Sequence, residues 1–225
     1  MGQKINPFSY RLGINKNWAS RWFVKSGYIK FLEEDELIRN VIEKKINQAG
    51  IIAVEIERTG ENCRVYIKVA RAGMVIGRGG KGVEDLTKDI ERAIKKLRVK
   101  NPRKKNAKEP FSLSVNVEEL KRGDVSAKYT AQQIAWDLEK RMGFKGVIKK
   151  QLERIMQNKD IRGAKILLSG RLDGNEIARR EWLRKGELPL QKLRANIDYG
   201  QATAHCSYGT VGIKVWLYKG DILEK

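Results

Sequence analysis

The chain has 225 residues, 41% of them hydrophobic, enough for one large folded domain or two modest ones and too many for a disordered polyelectrolyte. Lys and Arg number 47 against 27 Asp and Glu, a formal net charge of +20 whose self-repulsion a polyanionic partner would relieve. No apolar run is long enough to span a bilayer, "MGQKIN" lacks the apolar stretch of a signal peptide, and Asn6 stands where a myristoylation motif needs Ser or Thr. A soluble cytoplasmic protein that binds nucleic acid, with no membrane partner, is therefore expected.

Catalytic and metal chemistry is thinly represented. Cys63 and Cys206 are the only cysteines and His205 the only histidine, so one chain cannot build a four-cysteine or two-cysteine, two-histidine zinc site. Two cysteines do not make a disulfide framework. His205 and Cys206 are adjacent, and neighbours in a strand point to opposite faces, so they are read as sheet residues and not as a catalytic pair. No cofactor and no metal site are expected.

Residues 1–35 form a basic arm. Lys4, Arg11, Lys16, Arg21, Lys25 and Lys30 are interleaved with Tyr10, Trp18, Trp22 and Phe23. Cations beside aromatic rings suit phosphates and stacked bases. The same Trp18 and Trp22 would equally pack the arm onto its own domain, and both roles are compatible.

A helix follows in "DELIRNVIEKKINQAG", with Asp35 as N-cap, an apolar stripe of Leu37, Ile38, Val41, Ile42 and Ile46, and Gly50 after its end. "IIAVEIER" alternates at Ile52, Val54 and Ile56 as a half-buried strand does. "TGEN" is a turn, and "RVYIKVA" a second strand with Val65, Ile67 and Val69 on one face. After a glycine loop, Val83, Leu86, Ile90, Ala93, Ile94 and Leu97 recur at helical spacing. Nine basic residues and no acid then lie between Arg92 and Lys108, and "SLSVNV" is a third strand.

From Asp124 the pattern is helical again, with Ala131, Ile134, Ala135, Leu138 and Met142 on one face. A second helix carries Val147, Ile148, Leu152, Ile155 and Met156. "AKILLSG", "LRANIDYG" and "VGIKVWLY" are strand-like, with a basic connector, "RLDGNEIARREWLRKGELPL", between the first two.

The glycine loop admits two frames. Gly77, Gly79 and Gly82 spell the dinucleotide pattern G-x-G-x-x-G, whereas Gly77-Arg78-Gly79-Gly80 is a G-x-x-G clamp. A dinucleotide site needs an acid about 20 residues on for the ribose. That distance falls in "KNPRKKN", whose only charges are positive, and the preceding element is a hairpin instead of a parallel crossover unit. A Walker loop would need Lys followed by Ser or Thr, but Lys81 is followed by Gly82. Kinase-type partner motifs are missing as well. The clamp fits better: glycines let a sugar-phosphate strand approach main-chain N–H groups, a helix start attracts phosphate, and Arg78 and Lys81 add charge.

Helix, strand, strand, "VIGRGG", helix, strand resembles a type II KH domain. With "GQKINPFSYRLGINKNWASRWF", "SGRLDGNEIARREW" and "LRANIDYGQATAHCSYGTVGIKVWLYKG", the resemblance extends from end to end, to the universal S-three family of bacterial small-subunit ribosomal proteins. It implies an α+β chain of two domains. Residues 36–118 would be a type II KH domain with helices on one face of a three-stranded sheet. Residues 119–225 would be an α+β domain with two helices and a small mixed sheet. The implied role is that of a structural, non-enzymatic constituent of the subunit head. The implied partners are small-subunit rRNA, mRNA and neighbouring head proteins, among them ribosomal proteins S-ten and S-fourteen.

The resemblance implies that Gly77, Arg78, Gly79, Gly80 and Lys81 bind RNA. The family commonly places two bases between the clamp glycines, and Gly79 replaces one of them here. In "KRMGFKGVIKKQLER", Lys145, Lys149 and Lys150 match basic positions that line the channel through which mRNA enters, while Gly146 departs from a basic position. Lys145 and Lys149 are four apart and share a helix face. Lys4, Arg11, Arg21, Arg171, Arg179 and Arg180 are further RNA-binding candidates, with Arg184 and Lys185 in the same connector cluster. Phosphate contacts of this kind position a protein without reading sequence. Trp182 and Trp216 are read as core or interface anchors. Two rival functions are a metal-dependent nuclease or lyase using Glu118, Glu119 and Asp124, and a free KH regulator of mRNA.

Overall fold

Residues 4–24, 27–60, 62–100, 112–121 and 124–222 are described by the computed structural model. In chain order the first elements are α1 (Pro7–Tyr10), β1 (Ser20–Arg21), α2 (Tyr28–Ile46), β2 (Ile51–Thr59), β3 (Asn62–Val69), α3 (Ala72–Ile76), α4 (Lys81–Lys100) and β4 (Ser112–Glu119). After them come α5 (Ala127–Glu139), α6 (Phe144–Met156), β5 (Gly163–Gly170), β6 (Arg179–Gly186), β7 (Ala195–Cys206) and β8 (Gly209–Asp221). The chain is α+β and divides into two units: Trp18–Lys121, and the residues up to 17 together with those from 122 onward. The expected arm 1–35 is thus shared between the units. The expected basic run continues past Lys100 outside the described residues, as do Lys25 and Glu61 of the expected turn.

In the unit Trp18–Lys121 the sheet order is β1-β2-β3-β4. β2 and β3 are antiparallel, β4 runs parallel to β3, and the two-residue β1 adds a parallel edge to the three strands expected. Ile38, Ile42 and Ile46 of α2 and Leu86, Ile90 and Ile94 of α4 bury their stripes against Val54, Ile56, Val65, Ile67 and Val69. Ile52 is not among them. A bulge between Ile51 and Ala53 shifts the register, so Ile51 and Val54 face the core.

Asp35 is not an N-cap. α2 begins seven residues earlier, after Gly27 at φ +83°, and Asp35 lies inside the helix at 3% exposure. Its place follows from its partners. Arg58 donates through Nε and Nη2 to Asp35 Oδ1, and Trp22 Nε1 donates to Asp35 Oδ2 at 2.9 Å. Arg58 Nη1 also donates to Glu34 Oε2 at 2.8 Å, and Arg98 Nε to Glu34 Oε1 at 2.9 Å. Buried charges persist because each is paired and hydrogen-bonded. Trp22 also stacks on Tyr28 and Phe31, so it anchors the segment to its own domain, whereas Trp18 is 67% exposed.

The second unit holds a sheet of order β6-β5-β8-β7 in which every pairing is antiparallel, not mixed as expected. The short β5–β6 and β7–β8 connections leave no room for the crossover that parallel neighbours need. The middle of the expected connector is itself strand β6. Met142 lies beyond the end of α5 and is 43% exposed, not part of its apolar stripe. α5 and α6 bury Ala131, Ile134, Leu138, Val147, Ile148, Leu152 and Ile155 against Ala164, Ile166, Leu168, Ile213 and Val215 on one face of the sheet. Among the described residues no helix is long and apolar enough to cross a membrane.

The N-terminal residues are fastened to this second unit by Arg11. Its guanidinium is 0% exposed and donates to four carbonyls: Ala195 and Leu190 at 2.9 Å, Lys192 at 2.7 Å and Pro7 at 3.1 Å. Asn15 Nδ2 adds a bond to Leu193 O at 3.1 Å.

Candidate nucleic-acid interface

The glycine loop joins two helices. Sequence periodicity missed α3, whose five residues are too few to display a helical repeat. Gly77 ends α3 at φ +67° and Gly79 sits at φ +64°, ψ +25°, conformations that side chains resist. Gly82 has a different reason to be glycine. A Cβ there would lie 2.3 Å from the Val75 carbonyl oxygen, so the first turn of α4 packs directly on the end of α3. The third glycine of the apparent dinucleotide pattern is thereby explained by helix packing alone. Arg78 and Lys81 are exposed at the start of α4 and form no ion pair among the described residues.

α6 presents the second cationic set. Its buried face carries Phe144, Val147, Ile148, Gln151, Leu152 and Ile155, which leaves Lys145, Lys149 and Lys150 exposed on the other. None of the three forms an ion pair among the described residues. A Cβ on Gly146 would meet nothing within 4 Å. The connector holds the start of α6 in place: Asp173 Oδ1 accepts from Phe144 N at 3.3 Å, and Arg179 lies 5.6 Å from the Phe144 ring centroid.

The other expected RNA contacts divide by their partners. Arg11 is a correction: it is enclosed, its donors are held by carbonyls, and burial pushes its guanidinium down from the ordinary value. Arg21 bridges Glu55 at 3.1 Å and Glu57 at 3.3 Å on the sheet edge. Arg171 donates to Asn175 O at 3.0 Å and Tyr208 O at 3.1 Å, holding the connector to the β7–β8 turn. Arg179 lies 3.8 Å from Glu181. Lys4 and Arg180 are exposed and form no ion pair among the described residues.

One cluster was not anticipated. Lys165 Nζ lies 4.8 Å from the Trp182 ring centroid and 5.7 Å from that of Trp216. Burial, then the nearby charges of Lys4 and Arg184, push its ammonium down from the ordinary value. Trp182 is not a core residue; it is 59% exposed. The alternation in "AKILLSG" could have placed Lys165 on the face opposite the core, but not beside two tryptophans from other strands.

The acids considered for a nuclease have basic partners or stand apart. Glu118 lies 3.8 Å from Lys68, and Asp124 accepts from Lys219 at 2.9 Å. Among the described residues no three His, Cys, Asp or Glu side chains group as metal ligands. In β7, His205 is exposed while Cys206 packs toward the core, its thiol 3.8 Å from Leu138 O.

Comparison with known proteins gives two family matches: residues 37–124 match the KH domain, and residues 134–217 match the ribosomal protein S3, C-terminal domain. A small ribosomal subunit protein uS3 of Lawsonia intracellularis is 47% identical over all of this chain and 98% of its own length. That of Desulfovibrio desulfuricans is 46% identical with the same coverage, and that of Oleidesulfovibrio alaskensis is 44% identical over all of this chain and 98% of its own.

Proposed function

The chain belongs to the uS3 family of small ribosomal subunit proteins, a family of structural components and not enzymes, and on that premise we propose that it binds small-subunit rRNA in the head and lines the channel through which mRNA enters. The observation that carries this reading is the distribution of uncompensated charge. Arg78 and Lys81 in the clamp loop, and Lys145, Lys149 and Lys150 on α6, have no acidic partner among the described residues. Their charge is left for phosphates, and neutralising phosphates releases counterions. Arg11, Arg21, Arg171 and Arg179 instead hold the protein's own elements in position.

The clamp loop supplies glycines at Gly77, Gly79 and Gly80 so that a backbone strand can lie against main-chain N–H groups, with Arg78 and Lys81 at its sides. The α6 lysines take the mRNA-facing role. Ribosomal proteins S-ten and S-fourteen are the expected head neighbours, and the cytoplasm is the expected compartment. Photo-crosslinkers at positions 78 and 149 in intact small subunits test the assignment. Adducts to rRNA from 78 and to mRNA from 149 are expected. Adducts to protein only, from both positions, would overturn it.

A further inference from the structure

The sheet of the second unit has a face turned away from α5 and α6. Ala164, Ile166 and Leu168 of β5 point to the helices, so Lys165 and Leu167 point the other way. Pairing register sets Arg184 beside Lys165, Trp182 beside Leu167 and Arg180 beside Ser169 on the edge strand β6. On the opposite side it sets Trp216 beside Lys165 and Lys214 beside Leu167. The face therefore gathers Lys165, Arg180, Arg184 and Lys214 around two tryptophans. Glu181, the acid of β6, falls at an alternate position and faces the helix side, where its register partner is Leu168.

Two properties point to a partner. Arg180, Arg184 and Lys214 form no ion pair among the described residues, so the positive charge of this face is uncompensated. Trp182 is 59% exposed on the edge strand, with Lys165 against its ring and an arginine two residues away on each side. Lys165 against both indoles places aromatic rings and cations together on this face. Cations around an indole suit a nucleotide, which brings a base to stack and phosphates to pair, better than an acidic protein surface, which brings only charge.

Ile197 and Tyr218 on this side of the sheet are buried with Leu188, so the exposed part lies around Trp182. We infer that this exposed part is a further RNA-contact surface that takes unpaired nucleotides, with a base against Trp182 and phosphates across Arg180, Arg184 and Lys214. It rests on the RNA-binding reading above and adds a surface, a nucleotide state and a stacking residue to it. Stacking distinguishes it from the clamp loop and α6, where cations act without an aromatic ring.

The test uses full-length protein, an unstructured oligouridine and an RNA duplex of the same length. Trp182→Leu should weaken oligouridine binding roughly 5- to 100-fold, the range of one base–aromatic stack, and leave duplex binding unchanged. Trp182→Phe should restore most of the affinity, which separates stacking from damage to the sheet. Arg180→Gln with Arg184→Gln should lower the salt slope of oligouridine binding by about 0.7 for each phosphate no longer neutralised. If Arg78→Gln weakens RNA binding while every sheet-face variant binds as wild type, the inference is wrong and the RNA-binding reading survives. If the wild-type protein binds RNA with no salt dependence, both fail. If Trp182→Leu spares RNA affinity but releases a neighbouring protein from the subunit, the face is a protein interface and the inference is overturned.

Discussion

Arg58 grips Asp35 at two points inside the KH unit: Nε and Nη2 donate to Asp35 Oδ1 at 2.9 and 2.7 Å, with both side chains 4% exposed. The contact ties the middle of α2 to the end of β2, and Glu34 and Trp22 extend it. Arg58→Leu would strand two buried carboxylates and is expected to cost about 3–5 kcal/mol in chemical denaturation. Arg21→Ala, whose side chain is 47% exposed, removes surface ion pairs and should cost less than about 1 kcal/mol.

Two glycines of the clamp region should each lose stability on substitution, for different reasons. Gly82→Ala drives a methyl group toward the Val75 carbonyl and should destabilise the protein by about 1–3 kcal/mol. Gly79→Lys meets open space but adopts φ +64°, a strain of about 1–2 kcal/mol. The added cation should nevertheless tighten RNA binding. Thermal melts and an RNA titration on the same variants separate the two effects.

Gly146 weakens α6 without a packing reason, since its Cβ direction is open. Gly146→Ala should stabilise the protein by about 0.5–1 kcal/mol. Gly146→Lys should strengthen RNA binding through the α6 face and steepen its salt dependence. An unchanged slope for the lysine variant would show that this face is turned away from RNA.

The Cys63 thiol is pushed up to about 11, first by burial, against the opposing pull of Arg58. It should resist alkylation at pH 8 until the KH unit unfolds, while the partly exposed Cys206 reacts first. Because the folded value lies above the unfolded one of about 9.0, the protonated thiol favours the native state. That contribution is complete below pH 9 and is lost as pH rises toward 11. Denaturation midpoints for wild type and Cys63→Ser across pH 8–11 check it: the wild-type midpoint should fall more steeply.

Much of this was legible in the chain because periodicity reports burial directly. Ile38, Ile42 and Ile46, and then Leu86, Ile90 and Ile94, repeat every four residues because those positions face one core. Features set by distant partners were hidden. Asp35 looked like a helix start because capping is local, while its actual ligand, Arg58, lies 23 residues away. Arg11 looked like a phosphate contact because no local pattern announces carbonyls some 180 residues on. Ile52 failed because a bulge has no alternation signature. Charge pointed to a polyanionic partner, but not to which cations remain free for it, since that depends on the internal pairing of each arginine.

The central claim is that the uncompensated cations of the clamp loop and α6 neutralise RNA phosphates. Binding of full-length protein to a small-subunit head rRNA fragment, titrated against salt, tests it most directly. The logarithm of affinity should fall linearly with the logarithm of salt. The slope should lessen by about 0.7–0.9 for each phosphate left unpaired when Arg78 and Lys81, or Lys145, Lys149 and Lys150, are changed to Gln. A flat wild-type plot, or slopes that do not move in either variant, would contradict it.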